Sequence, residues 1–457
     1  MKNLTQEVND FISRTLDSHV RIAVTGLSRA GKTAFITSLV NQLLHTSTHD
    51  NLPLLGAARD KRLIGAKRVP QTNLMVPRFA YDEAMGHLQS EPPMWPKPTR
   101  DVSEIRLSLK YRTKSRTKRL LSSTSTINID IIDYPGEWLL DLPLLDMDFD
   151  TWSKTQFEAL TGVRQTLASD WLASLDELDV NGDADEKQLQ DIARKYTDYL
   201  FACKSSGLHW VQPGRFVLPG ELEGAPVLQF FPCLSPEKEP SKQSQYAMLK
   251  ARYKQYQQKV VKAFYKHHFS TFDRQIVLVD CLTPLNQGPE SFTDMRSALE
   301  QIMHSFEYGK SSLLRRLFAP KIDRILFAAT KADHVTPEQH SHLTTLLKQM
   351  VHPAWQTAAY ENIDMSCMSI ASIQATQAGF IQQDGEQLPA IQGDTEAGER
   401  LTVFPGEVPK TLPAADYWQK FGFEYLSFRP IPMADDQPMQ HIRLDKALDY
   451  LIGDKLR

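Results

Sequence analysis

The sequence predicts an α/β fold, a mostly parallel sheet with helices on both faces, one antiparallel hairpin at its edge and a helical subdomain inserted in the chain. Three observations carry this. Val20-Arg21-Ile22-Ala23-Val24-Thr25 reads as a short buried strand running through a glycine-containing turn into a helix. Strand and helix patterns alternate again from about residue 275 onward. Between the two, residues from about 141 to 272 are dominated by helical periodicity.

The turn after the first strand is Gly26-Leu27-Ser28-Arg29-Ala30-Gly31-Lys32-Thr33, which fits G-x-x-x-x-G-K-[ST], the phosphate-binding P-loop. The following residues place Phe35, Ile36, Leu39, Val40, Leu43 and Leu44 at helical spacing. Strand, turn and helix in that order aim successive backbone N–H groups and a helix N-terminus at one phosphate chain. Gly26, Ser28, Arg29, Ala30, Gly31, Lys32, Thr33 and Ala34 are therefore the expected phosphate contacts. Lys32 is expected to reach the β- and γ-phosphates, with the Thr33 hydroxyl on Mg²⁺.

At 457 residues the chain has room for one elaborated domain or two to three smaller ones. Its 41% hydrophobic and 23% charged residues are those of a globular protein, and a net charge of −3 gives no overall pull toward nucleic acid. Four scattered cysteines form no C-x-x-C pair, which argues against a thiolate zinc site or a disulfide framework. The first residues lack the apolar core of a signal peptide, and no run is long enough to span a bilayer. Cytoplasmic residence is expected, with peripheral association at the inner membrane left open.

In chain order, residues 5 to 17 read as a short amphipathic helix and the P-loop unit follows. Residues 46–98 are proline-rich and irregular, the kind of long loop that is usually functional. Residues 103–112 alternate apolar and polar side chains, and 126–132 form a second strand, so the two predict an antiparallel hairpin. Helices are expected over 152–178 and 186–203, and a basic one follows 236–244 with Tyr246, Leu249, Tyr253, Tyr256, Val260 and Ala263 as its packing seam. Strands are expected at 275–281, 324–329 and 365–370, helices at 292–306, 340–350 and 442–452, an exposed loop at 382–400 and an edge strand at 424–429. The expected domains are 1–140, the helical insertion 141–272, and 273–457.

Three further motifs suit a P-loop. Ile127-Ile129-Ile131-Ile132 ends in Asp133, a carboxylate for the metal's shell, and Gly136 permits close approach to the γ-phosphate. Thr330-Lys331-Ala332-Asp333 fits the [NT]-K-x-D pattern of GTPases, in which a carboxylate accepts from the adjacent N1–H and exocyclic amine of guanine. There the Lys331 stem covers the base, and Ala371-Ser372 after the next strand offers a backbone N–H to guanine O6. Thr99, just before the strand at 103, is the candidate switch threonine on Mg²⁺, with Thr72 as its rival.

Gly-Leu-Ser-Arg-Ala-Gly-Lys-Thr, Asp-Tyr-Pro-Gly-Glu-Trp and Thr-Lys-Ala-Asp together resemble the YcjX-like proteins, bacterial stress-associated P-loop proteins variously called ATPases or GTPases. The resemblance covers nearly the whole chain. It implies a Ras-like G domain with insertions and nucleotide-dependent switching, and it names no partner. In such domains a glutamine that orients attacking water follows the Asp-x-x-Gly motif; here Glu137 stands there. Arg29 occupies the loop position where cation-activated GTPases carry asparagine, and it is a candidate arginine finger in cis. The reading favoured is a Mg²⁺-dependent GTPase binding GTP and GDP, with an ATPase and a non-hydrolysing nucleotide-binding scaffold as alternatives. A protein partner, membrane-associated or not, is left unidentified.

Overall fold

The computed structural model describes residues 18–98, 101–114, 123–237, 239–307, 322–352, 355, 363–383, 385–414, 416–420, 425–434 and 436–457. Seven strands build the main sheet: β1 (Ser18–Gly26), β2 (Leu63–Val69), β3 (Ser103–Arg112), β4 (Thr124–Asp133), β5 (Arg274–Val279), β6 (Arg324–Ala329) and β7 (Asp364–Ser369). Their spatial order is β2-β3-β4-β1-β5-β6-β7. β4, β1, β5, β6 and β7 run parallel, while β3 is antiparallel to both β2 and β4. β1 is the strand from which the chain order departs in both directions, the kind of switch point at which open α/β sheets bind ligands.

β1 is covered on both faces: Val20, Ile22 and Val24 on one and Ala23 and Thr25 on the other are fully buried. On one face Val20, Ile22 and Val24 join Ile127, Ile129 and Ile131 of β4 in a core against α1 (Lys32–Leu44) and the helix Leu444–Ile452. α1 contributes Phe35, Ile36, Leu39, Val40 and Leu43, and the later helix contributes Leu448, Leu451 and Ile452. Arg274 at the start of β5 fastens that later helix, donating from Nε to Leu451 O at 3.1 Å and from a terminal nitrogen to Asp454 at 2.8 Å.

The chain divides into two compact units, Met1–Tyr134 with Phe272–Asn286 and Lys321–Arg457, and Pro135–Thr271 with Gln287–Pro320. The second is helical, with an aromatic core in which Trp152 stacks on Tyr253 at 5.1 Å and Trp171 meets Tyr196 at 4.7 Å. Of the seam expected on the basic helix, Tyr246, Leu249, Tyr253, Tyr256 and Val260 are buried there, while Ala263 is only half-buried. Two boundaries differ from expectation. The second unit begins at Pro135, so it takes Gly136 and Glu137, and it also takes the helix Pro289–Glu307. Its first helix is packed by its own polar anchors: the Gly214 amide donates to Asp141 at 2.8 Å and Gln212 donates to Leu140 O at 2.5 Å.

Four local expectations are corrected. Residues 46–98 are not a bare loop, since they hold the helices Gly56–Arg59 and Tyr81–Leu88 and the edge strand β2. β2 pairs on one side only and keeps half its side chains in water, so it carries no alternation to detect. The stretch 382–400 is part of a separate antiparallel sheet, β8 (Thr376–Gln383), β9 (Glu386–Asp394) and β10 (Arg400–Val403). Its apolar face is small, with Ile391 packed on Ala375 and Phe428, which leaves its sequence looking polar. The expected strand at 424–429 is a single bridge between Phe428 and Thr395. The helix expected over 152–178 is three, Phe149–Glu158, Val163–Leu167 and Ser169–Asp176, interrupted at Gly162 with φ 54°. The helix expected over 5–17 lies outside the described residues.

Candidate nucleotide site

The P-loop turns through two left-handed residues, Arg29 at φ 63° and Gly31 at φ 82°. Gly31 is required for that conformation, and Gly26 for space, because a Cβ there would lie 2.6 Å from Leu278 O of β5. The loop closes with Ala30 N–H on Leu27 O at 3.1 Å, and α1 starts with Phe35 N–H on Gly31 O at 2.9 Å. No side chain caps α1 and its first turn holds no acidic residue, so its positive end faces the loop uncompensated. Lys32 folds back over the loop and donates to Gly26 O at 3.2 Å. Ser28, Thr33 and Ala34 are half-buried; Arg29 is exposed, and its own side chain makes no ion pair or hydrogen bond among the described residues.

Asp133 is the last residue of β4, in register with Val24 of β1, and is 1% exposed. The next residue fixes the exit of the strand: Tyr134 stacks on Phe272 at 5.6 Å and its hydroxyl accepts from Gln275 at 2.6 Å. Burial raises that phenol far above its ordinary range, so it stays neutral. Gly136 and Glu137 lie on the first helix of the second unit, where Glu137 is ion-paired with Lys204. The Glu137 carboxylate expected beside attacking water is thus buried against a lysine of its own unit. Thr99 lies outside the described residues, and Thr72 is exposed on the segment after β2.

The Thr330–Asp333 stretch leaves β6 with Thr330 N–H on Val279 O at 2.9 Å and Lys331 left-handed at φ 61°. The Lys331 ammonium lies 2.6 Å from Asp280 Oδ2 and 4.7 Å from the centre of the Tyr425 ring. Asp280, which sequence reasoning missed, ends its strand as a cap: it accepts from the amides of Leu282 and Thr283, both at 3.1 Å, and from the Thr283 hydroxyl at 2.6 Å. Asp-Cys-Leu-Thr at 280–283 carries that capping signal in plain view. Burial works to raise the Asp280 carboxyl, but Lys331 and Thr283 hold it below the usual carboxylate range.

Asp333 is also differently engaged from expectation. Its Oδ2 accepts from the Ala375 amide at 2.7 Å and the Thr376 amide at 3.3 Å, while Oδ1 lies 3.3 Å from His334 Nδ1. Burial pushes its carboxyl up, and His334 with the Ala375 amide brings it to a net value below the ordinary one. Ala371 N–H, expected on guanine O6, donates to Ile442 O at 3.0 Å, and Ser372 beside it is 9% exposed. The physical reason is common to both: a polar group this deeply buried must be satisfied, and here the chain's own backbone does so.

The sequence model of the YcjX-like family, DUF463, matches residues 20–456. A relative from Escherichia coli (strain K12), Ras-like GTPase YcjX, is 52% identical over 465 residues, covering 100% of both chains. Another Ras-like GTPase YcjX, from Shewanella oneidensis, is 44% identical over 477 residues, covering 100% of this chain and 98% of the relative. With the phosphate loop, the Asp133 strand and the Thr330–Asp333 strand end set in one mostly parallel sheet, and with a match that runs nearly end to end, this chain belongs to the YcjX-like family.

Proposed function

We propose that this protein binds GTP and hydrolyses its γ-phosphate with Mg²⁺, changing conformation between its GTP and GDP forms. The observation that carries the reading is the P-loop at the carboxyl end of β1, with Asp133 ending the adjoining β4 and Lys331–Asp333 following β6. Loop amides between Ser28 and Thr33, apart from that of Ala30, and the Lys32 ammonium neutralise the phosphates, and the exposed Arg29 is free to meet charge that develops on them. The donor set suits magnesium, which takes one or two protein oxygens and completes its shell with phosphate and water. Thr33 and Asp133 supply those oxygens, and among the described residues no cluster of three or more metal-ligating side chains competes for the ion. When bound, the ion would polarise the phosphoryl oxygens. The relatives' name supports GTP as the substrate.

One observation favours a second reading, an ATPase of the same class: the Asp333 carboxylate and the Ala371 amide are both already bonded within the chain. Parallel GTP and ATP titrations followed by single-turnover hydrolysis decide between them. Tighter GTP binding with turnover is expected. Equal affinities would remove guanine specificity, and binding without turnover would leave a nucleotide-binding scaffold.

A further inference from the structure

We propose that Ala375–Thr376 is a built-in occupant of the base site, whose two consecutive backbone N–H groups both engage Asp333 Oδ2, on the carboxylate that a guanine-type base would engage through its two adjacent N–H donors. The inference rests on the nucleotide-binding reading and adds how the base is selected. A carboxylate that reads guanine accepts from N1–H and the exocyclic amine. At Asp333, only 2% exposed in its side chain, a pair of adjacent donors is already present, the amides at 2.7 and 3.3 Å. The Thr376 hydroxyl adds a bond to Asp333 O. A base can reach this carboxylate only by exchange with the segment.

Exchange makes the site selective. Guanine returns two N–H donors for the two it displaces, so the buried carboxylate is never left bare. Adenine presents an acceptor at N1 and would strand that charge, which is the costly outcome at a buried polar group. The segment therefore rejects bases that cannot replace it, and it lowers the apparent affinity for the base that can.

The segment is also wired to the rest of its unit. Ala371 and Ile442 exchange two backbone bonds at 3.0 and 2.8 Å, and Gln374 N–H meets Gln440 O at 3.0 Å. Met439, just before, is pinned to the P-loop helix, accepting from Gln42 at 2.6 Å and donating its amide to Asn41 at 3.0 Å. At its other end Thr376 begins β8. Displacing Ala375–Thr376 therefore loosens the start of the β8–β10 sheet whenever a guanine base is bound.

The test is amide hydrogen exchange over residues 371–380 in the full chain, without ligand and with saturating GTP, ATP or inorganic tripolyphosphate. The amides of Ala375 and Thr376 are expected to be protected in the free protein, to lose about tenfold or more of that protection with GTP, and to keep it with ATP or tripolyphosphate. Asp333→Ala should release the same amides without any ligand and abolish GTP-over-ATP preference together. Tripolyphosphate binding accompanied by unchanged protection under saturating GTP would overturn the exchange while leaving the phosphate site intact. Failure of the unaltered protein to bind either tripolyphosphate or GTP would remove the nucleotide reading and this inference with it.

Discussion

Lys204 Nζ lies 2.7 Å from Glu137 Oε1, and Glu137 is 3% exposed. The backbone around it is as tightly held: a Cβ on Gly214 would stand 2.0 Å from Glu137 O. Glu137→Gln should therefore act on stability before chemistry. Loss of the pair leaves a largely buried ammonium and is expected to cost about 1–3 kcal/mol, reduced from a fully buried pair because Lys204 retains some solvent. Urea denaturation of the full chain measures it, and adding Lys204→Met should recover most of the loss. A variant with unchanged stability and a collapsed single-turnover rate would return Glu137 to the reaction.

Lys32→Ala should weaken GTP and tripolyphosphate binding alike by about 2–4 kcal/mol, since it removes the main positive charge on the β/γ oxygens. Thr33→Ala should act mainly on the Mg²⁺-dependent part of the affinity. Calorimetry with and without Mg²⁺ separates the two, and wild-type affinity in both variants would contradict a phosphate site at this loop.

Arg29 is exposed in a left-handed conformation that costs a non-glycine residue about 1 kcal/mol. If its guanidinium meets charge between the β- and γ-phosphates, Arg29→Ala should slow the chemical step by about a hundredfold or more with a smaller loss of GTP affinity. Arg29→Gly should slow it equally, although it relieves the backbone, which separates the side chain from the turn. Exchanging potassium for sodium should leave the unaltered rate unchanged; strong potassium stimulation rules the finger out, because a guanidinium cannot ligate a cation.

Asp141 carries a pH signature. Its carboxyl is pushed up to about 6 by burial, although it accepts from the Tyr256 hydroxyl at 2.5 Å and from the amides of Gly214 and Arg215 at 2.8 and 3.3 Å. The folded chain thus keeps a proton that the unfolded chain releases near pH 4. This group's contribution is full below that point and is lost as pH rises through 6, by about 3 kcal/mol in all. Urea midpoints from pH 4.5 to 7.5 should show that fall, and Asp141→Asn should flatten it.

What the sequence reveals depends on whether a pattern is local. Residues 20–44 are legible because a buried strand, two glycines and a helical stripe each leave a period or a spacing in the text. That the sheet is mostly parallel follows from the alternation of its strands with helices. β2 and β8–β10 are illegible because edge strands and a small polar sheet lack a buried face to enforce alternation. The placement of Asp333 is hidden for a different reason: its partners are main-chain amides of 375 and 376, and every non-proline residue carries such a group. The pairing of Glu137 is hidden likewise, since nothing beside it in the sequence points to Lys204, a residue brought near only by the helices between them.

The central position of β1 has a consequence for biosynthesis. Its two neighbours are β4, ending at Asp133, and β5, beginning at Arg274, so the chain from 134 to 273 must leave the ribosome before β1 gains its second partner. At about 5–20 residues per second that interval lasts roughly 7–30 s, during which one edge of the strand bearing the phosphate loop is unpaired. Helix Leu444–Ile452, which completes the core beneath it, is translated later still. Nascent chains should therefore recruit chaperones at β1 and gain nucleotide affinity only near the end of translation.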